Sequence, residues 1–295
     1  MTLAWAKWVG AVLVTMLGAQ TAAADPTDPT WARIDQSGRI NVGIRESAPP
    51  FSEFVNNNPR GYSVDICTRL VASIERRLKH KVTAEFVPVN SKSREELLRN
   101  GKIDIECGTT TDTVKREQDF AFSYPFFVTG VRMAKRQGDS LSDYADLNGK
   151  KVAVVAGATA KTLLSQRKDV LATSGVVFTI VEVPTNDAGV QAVVSGTADG
   201  FVADDVLLAG AISAAKLDKK LVRTGAFLSI EPYAVMLRKS DLALLNALDA
   251  GMVELTTSGE TAQLVKKWFG SVNGYTINSA TREAWSWPVK HPAWP

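Results

Sequence analysis

The stretch from 90 to 127, NSKSREELLRNGKIDIECGTTTDTVKREQDFAFSYPFF, decides how the rest of the chain is read. It reads as loop, helix, strand, polar loop and short helix, with Ser, Thr and Arg gathered where the elements meet. Ser93 and Glu96 have capping-box spacing, which predicts a helix from about Arg94. A cation in a helix's first turn opposes the macrodipole, by about 0.3–1 kcal/mol. Arg94 is therefore better explained if it faces an anion at that helix end. A predicted strand, 102–106, then delivers Gly108, Thr109, Thr110 and Thr111 at its carboxyl end, and Arg116 follows. Ligands of open α/β sheets bind at the carboxyl ends of strands. Two arginines, several hydroxyls and a glycine-loosened backbone at that place suit a small dianion.

Outward from this stretch the same alternation continues. Upstream, 40–44 reads as a short buried strand. Ser63 can cap a helix whose apolar residues Ile66, Leu70, Val71, Ile74 and Leu78 recur at helical spacing, and 82–87 is a strand. Strand, helix, strand, helix, strand predicts a doubly wound α/β sheet. Downstream, an extended apolar run occupies 127–133, and a second α/β unit follows. Its strands are expected at 151–155, 178–183, 200–203 and 233–237. Helices are expected at 157–164, 188–194, 205–214, 241–254 and 260–269. Composition alone suggests no more than two α/β units.

The first two dozen residues read as a secretory signal. Lys7 is the only charge, 9–17 is apolar, and Ala22, Ala23 and Ala24 end the run with small residues. The competing reading is a membrane anchor, but the apolar core is shorter than the ~20 residues a span needs. Cleavage after Ala24 leaves 271 of the 295 residues, enough for one large or two ordinary domains. With 45% hydrophobic and 22% charged residues the chain is that of a folded globular protein, and its net charge of +3 is too weak to argue for nucleic acid or a membrane surface. Two cysteines, Cys67 and Cys107, are an even number in an oxidising compartment. They fit a disulfide, with two buried thiols as the alternative. The tail 271–295 is rich in Trp and Pro, including Trp285, Trp287, Pro288, Pro292, Trp294 and Pro295. Such a tail either wraps over its own protein, frays, or offers a contact surface.

What is missing narrows the chemistry. The two histidines are His80, on a charged helix end, and His291, in the tail. There is no sequence pattern for zinc, for a Ser–His–Asp or Cys–His arrangement, or for a Gly-rich phosphate loop. Arginines and hydroxyls form a clamp. Thr159 lies at a helix start, where free N–H groups favour an anion. Asp204 follows a buried strand and precedes an apolar helix, so it either projects at the sheet's carboxyl edge or caps the helix, a role Asp205 could fill instead. Arg45 ends the first strand. Taken singly it reads as a solvated surface arginine; with Arg94 and Arg116 at neighbouring element ends it reads as part of a site.

The ordered set VGIRESAPPFS (42–52), GYSVDIC (61–67), SKSREELLRNGKIDIECGTTT (91–111), KREQDFAFSYPF (115–126), ADLNGKKVAVVAGAT (145–159), VVSGTADGFVADDVLLAG (193–210) and TTSGETAQLVKKWF (256–269) resembles the periplasmic glutamate/aspartate-binding branch of the amino-acid ABC transporter substrate-binding family. The resemblance covers about residues 31–270. It implies a two-lobed periplasmic binding protein fold with two hinge strands, near 127–133 and 231–237. Residues 25–128 and 235–270 would form lobe 1, and 129–234 lobe 2. By the same resemblance Arg116, helped by Thr109 and Thr111, takes an α-carboxylate that Thr159 meets from the opposite lobe. Asp204 takes the ammonium, and Arg45, Ser91 and Arg94 hold the distal carboxylate. Where that branch often has a histidine, this chain has Asn186, and Asp187 beside it would repel the ligand if it faced the site. The implied protein is a soluble periplasmic monomer that uses no cofactor and no metal. It binds L-glutamate or L-aspartate and delivers it to the membrane permease of an ABC transporter. The alternative is an enzyme, since a few exported dehydratases acting on prephenate or arogenate share the fold. Those reactions need a general acid, and the sequence offers no obvious neutral one.

Overall fold

The computed structural model describes residues 28–290, so the signal read at 1–24 and the end of the tail (Pro292, Trp294, Pro295) lie outside the described residues. Two five-stranded sheets carry the chain. The first runs Thr83–Val89, Arg39–Arg45, Ile105–Glu106, Met236–Arg238, Phe120–Phe122, parallel among its first three strands and antiparallel at Met236–Arg238. The second runs Thr179–Val183, Lys151–Val155, Gly200–Asp204, Val131–Arg136, Leu221–Thr224, again parallel first and antiparallel after. This is the mixed α/β architecture expected from the alternation, divided into the two lobes that the resemblance implies.

Both sheets show why these sequences become strands. In Lys151–Val155, Val152 and Val154 enter one apolar cluster while Ala153 and Val155 enter another on the opposite face. A strand covered on both faces needs such a continuous apolar run. In the first lobe, Ile66, Leu70 and Ile74 of the helix Tyr62–Leu78 pack on Ile40, Val42 and Ile44 and on Leu244, Leu248 and Met252 of the helix Leu242–Thr257. Burying each such side chain stabilises the fold by about 1.5–3 kcal/mol. A Cys67–Cys107 disulfide, with its Cα atoms 6.4 Å apart, ties this helix to the end of the strand Ile105–Glu106. Closing a loop of that length stabilises by about 4 kcal/mol in the chain-entropy picture.

The expected single run 127–133 divides at Gly130. Phe127–Thr129 pairs antiparallel with Glu231–Tyr233, whereas Val131–Arg136 already belongs to the second sheet. A Cβ at Gly130 would lie 2.4 Å from the Ser229 carbonyl oxygen, which explains the break. The run 233–237 divides likewise, into Glu231–Tyr233 and Met236–Arg238. The chain therefore crosses between the lobes on one short two-stranded ribbon, outward on Phe127–Thr129 and back on Glu231–Tyr233.

Two caps differ from expectation. The helix Tyr62–Leu78 starts before Ser63, whose hydroxyl instead donates to the Gly108 carbonyl at 2.9 Å. Gly61 makes the entry, at φ +138° and with Phe51 O 2.1 Å from where a Cβ would stand, so only glycine fits. Ser93 forms no capping box with Glu96. The Asn90 side chain accepts from the Lys92 and Ser93 N–H groups, and Ser93 Oγ accepts from Asn90 N, so a local turn takes the groups a cap would use.

The tail wraps. Its helix Ser279–Ser286 lies on the outer edge of Phe127–Thr129. Thr281 Oγ1 both accepts from Val128 N and donates to Val128 O, Asn278 Nδ2 donates to the same carbonyl, and Trp285 Nε1 donates to Phe126 O. Just past that helix, Trp287 is 76% exposed. Among the described residues no helix is long and apolar enough to cross a membrane.

Candidate functional site

The carboxyl ends of both sheets face one gap, and a small cavity lies there. Its walls hold Arg45, Ser91, Arg94, Thr109 and Thr111 from the first lobe and Thr159, Asn186 and Asp204 from the second, with Val155, Ala158, Ala160, Val202, Ala203 and Leu207 between them. Eight of the nine residues singled out in the sequence thus meet in one place. The remaining space is about 20 Å³, room for about one water. Anything the size of an amino acid enters only when the lobes part. The lobes touch by backbone at two glycines. A Cβ on Gly157 would lie 2.8 Å from Ser91 O, and one on Gly210, inside the helix Asp205–Ala214, 2.1 Å from Pro49 O.

One end of the cavity is cationic. Arg45 and Arg94 are buried, 5% and 2% exposed, and the Nε of each has no partner. Arg45 Nη1 donates to Thr109 Oγ1 at 3.1 Å, and Arg94 Nη1 to Thr110 Oγ1 at 2.7 Å. Thr110 Oγ1 in turn donates to Glu106 Oε2 at 2.5 Å. The anion that explains a cation at the start of the helix Arg94–Arg99 is therefore, within the protein, Glu106. That fully buried carboxylate has one oxygen without a partner. Burial, with the like charge of Arg116 added, pulls the Arg94 guanidinium down to about 9, still protonated at neutral pH. Burial also pulls Arg45 below its ordinary value, against the opposing field of Glu106.

The other end is anionic. Asp204 stands at the N-cap position of Asp205–Ala214 but makes no side-chain cap. Asp205 does not cap either; it pairs with Arg223 at 2.6 Å and Arg132 at 3.5 Å. Asp204 is left facing the cavity. Its Oδ2 accepts from the Tyr233 hydroxyl at 2.6 Å, and its buried Oδ1 has no partner. Burial first, and then the neighbouring Glu231 carboxylate, push Asp204 up to about 7.

Arg116 is the residue the structure does not bring to the cavity. Its Nε donates to Glu95 at 3.1 Å and its Nη1 to the Thr111 carbonyl at 2.9 Å, on the wall of an adjoining cleft that also reaches Thr159. Glu95, in the first turn of Arg94–Arg99, holds it there. Thr111 and Thr159 are in place, but their hydroxyls donate to Glu231, at 2.5 and 2.8 Å. Asn186 lines the cavity, and Asp187 is exposed and does not face it. Glu106 and Glu231 were not singled out in the sequence. A charge within a strand covered on both faces was the available signal for Glu106. For Glu231 there was only its place at the head of an apolar run. Among the described residues no group of His, Cys, Asp and Glu is arranged to hold a metal.

Residues 40–271 match the family described as bacterial extracellular solute-binding proteins, family 3. The chain belongs to that family. Within it, the chain is 34% identical to the glutamate/aspartate import solute-binding protein of Escherichia coli K12, over 88% of this chain and 87% of that protein. It is 31% identical to the L-glutamate/L-aspartate-binding protein of Pseudomonas aeruginosa, over 88% and 85%. Among solved structures, a mutant of ArgBP from T. maritima superposes with a TM-score of 0.70 at 28% identity, covering 82% of this chain and 99% of that one. This solute-binding protein thus shares its fold with ArgBP from T. maritima.

Proposed function

We propose that this chain captures L-glutamate or L-aspartate between its lobes and delivers it to the membrane permease of an ABC transporter, working as a soluble periplasmic monomer. The observation that carries the reading is the cavity's polarity. Two buried arginines with unpartnered N–H groups stand at one end, and a buried carboxylate with an unpartnered oxygen stands at the other. A distal carboxylate would satisfy Arg45 and Arg94 with help from Ser91 and Asn186, and an α-ammonium would satisfy Asp204. The α-carboxylate would meet the free N–H groups at the start of the helix Thr159–Ala172, which has no side-chain cap, together with Thr109 and an Arg116 released from Glu95. The names of the two bacterial relatives point the same way.

The moving units in this reading are residues 25–128 with 235–270, and 129–234, turning on the ribbon of Phe127–Thr129 and Glu231–Tyr233. Closure around the ligand is then a hinge motion selected by contacts to both lobes. An elevated Asp204 offers the neutral acid that a dehydratase would need, but only in the empty cavity, because an ammonium beside it restores the carboxylate. Titration calorimetry of the mature protein tests the proposal. L-glutamate and L-aspartate are expected to bind at least about tenfold more tightly than L-glutamine and L-asparagine, a gap of 1.4 kcal/mol, and lysine not at all. Equal affinity for glutamate and glutamine would remove the acidic-ligand assignment.

A further inference from the structure

Glu231 opens the second hinge strand opposite Thr129 and is 1% exposed. One of its oxygens, Oε2, accepts from Thr111 Oγ1 of the first lobe at 2.5 Å and from Thr159 Oγ1 of the second at 2.8 Å. An isolated bridge between Thr111 and Tyr233 holds the first threonine against the hinge strand. A threonine hydroxyl has one proton and two lone pairs. With both protons directed to Glu231, the two hydroxyls present only lone pairs to the cavity. Beside them lies the unpartnered Oδ1 of Asp204. This wall is made of acceptors. It repels a bare carboxylate and matches an ammonium, which has three N–H donors and no acceptor.

We propose that Glu231 is a positioning residue that selects ligands carrying an ammonium group over the same diacid without one, by taking the hydroxyl protons of Thr111 and Thr159. The selection is exercised from the hinge, on both lobes at once, by a side chain that does not itself line the cavity. It rests on the amino-acid reading above and adds a residue to it. The closeness of Glu231 to Asp204 supports it: two buried carboxylates are poorly tolerated unless a proton or a cation lies by them, and burial with the Glu231 charge is what raises Asp204. Glutamine at this position presents a neutral amide to both threonines; with its NH₂ toward them it donates to both hydroxyls and returns their protons to the cavity.

The test compares L-glutamate with glutarate, its skeleton without the ammonium, on the wild type and on Glu231→Gln by calorimetry, and adds a crystal structure of the wild type with L-glutamate. The variant is expected to lose at least tenfold of the glutamate-to-glutarate selectivity, chiefly through weaker glutamate. The crystal structure is expected to show the ligand nitrogen within hydrogen-bond distance of Thr111 Oγ1 or Thr159 Oγ1. Equal weakening of both ligands would make Glu231 merely structural and overturn the inference. So would carboxylate oxygens on both threonine hydroxyls. A wild type that binds no amino acid would remove the functional reading as well, and that result appears in the first titration, before any variant is made.

Discussion

The two ends of the cavity are built differently. The arginine end, Arg45, Thr109, Arg94, Thr110 and Glu106, comes entirely from the first lobe and is linked within it by hydrogen bonds. The carboxylate end is assembled from three places, with Asp204 and Thr159 in the second lobe, Thr111 in the first, and Tyr233 and Glu231 on the hinge. The first exists whether or not the lobes are together. The second is complete only when they close. On the proposed reading, a ligand is recognised by its distal charge before closure and held by its ammonium after it.

Breaking the assembled end is expected to have the largest effect. Asp204→Asn removes one member of a desolvated charge pair, a loss of roughly 2–5 kcal/mol or on the order of 30- to 3,000-fold in affinity. Circular dichroism should remain that of the wild type. If calorimetry gives the variant wild-type affinity, the carboxylate end is misassigned.

Next in size is the response of the empty protein to pH. In the open form Asp204 meets water and titrates near its ordinary value, about 4. In the closed arrangement burial and the Glu231 charge raise it to about 7. Empty closure therefore takes up a proton. Its full advantage is present below about pH 4 and is lost as pH rises to about 7, at roughly 1.4 kcal/mol for each unit of the raised value. Small-angle scattering should find the ligand-free protein more open at pH 8 than at pH 5. The arginine end has no matching response in this window, so Asp204→Asn should flatten the profile. A wild-type radius of gyration independent of pH would contradict this account.

Arg94→Ala sharpens the comparison from the other side. It should narrow the glutamate–glutamine gap by about tenfold, mainly through weaker glutamate, because the assembled end is untouched and 1.4 kcal/mol is a modest loss for a buried charged contact. Competition calorimetry with both ligands checks it. Of similar size is the effect expected of Tyr233→Phe, which deletes one hydrogen bond to Asp204, worth roughly 1.5 kcal/mol, and should move the midpoint of the pH response upward while leaving glutamine discrimination alone.

This contrast also governs what the sequence disclosed. Arg45, Arg94 and the threonines lie at the ends of local strand and helix patterns, so together they pointed to one site, while Arg45 singly reads as a surface arginine and the resemblance supplied their roles. On its residues alone Asp204 could not be separated from Asp205; the resemblance chose it, and the physical reason is tertiary, since Asp205 is held by Arg132 and Arg223 of other strands. Glu231 reaches its threonines across 120 and 72 residues of chain. Nothing local to EPYAVML announces that. Arg116 was legible as a cation near the site, but its capture by Glu95 is a tertiary pairing between residues 21 apart. The hinge ribbon was legible as apolar runs and illegible as breaks, because the break at Gly130 depends on the Ser229 carbonyl that crosses it.

The backbone contact at Gly210 has a practical consequence. An alanine there suits a helix interior, where it is favoured over glycine by up to about 1 kcal/mol, yet its methyl would collide with the Pro49 carbonyl of the facing lobe. It would act as a doorstop, resisting the closed form without touching a group that reads the ligand. All affinities should then fall by one common factor, with the glutamate-to-glutamine ratio unchanged. A sensor built on this protein could have its working concentration range set at position 210 and its choice of analyte left as it is.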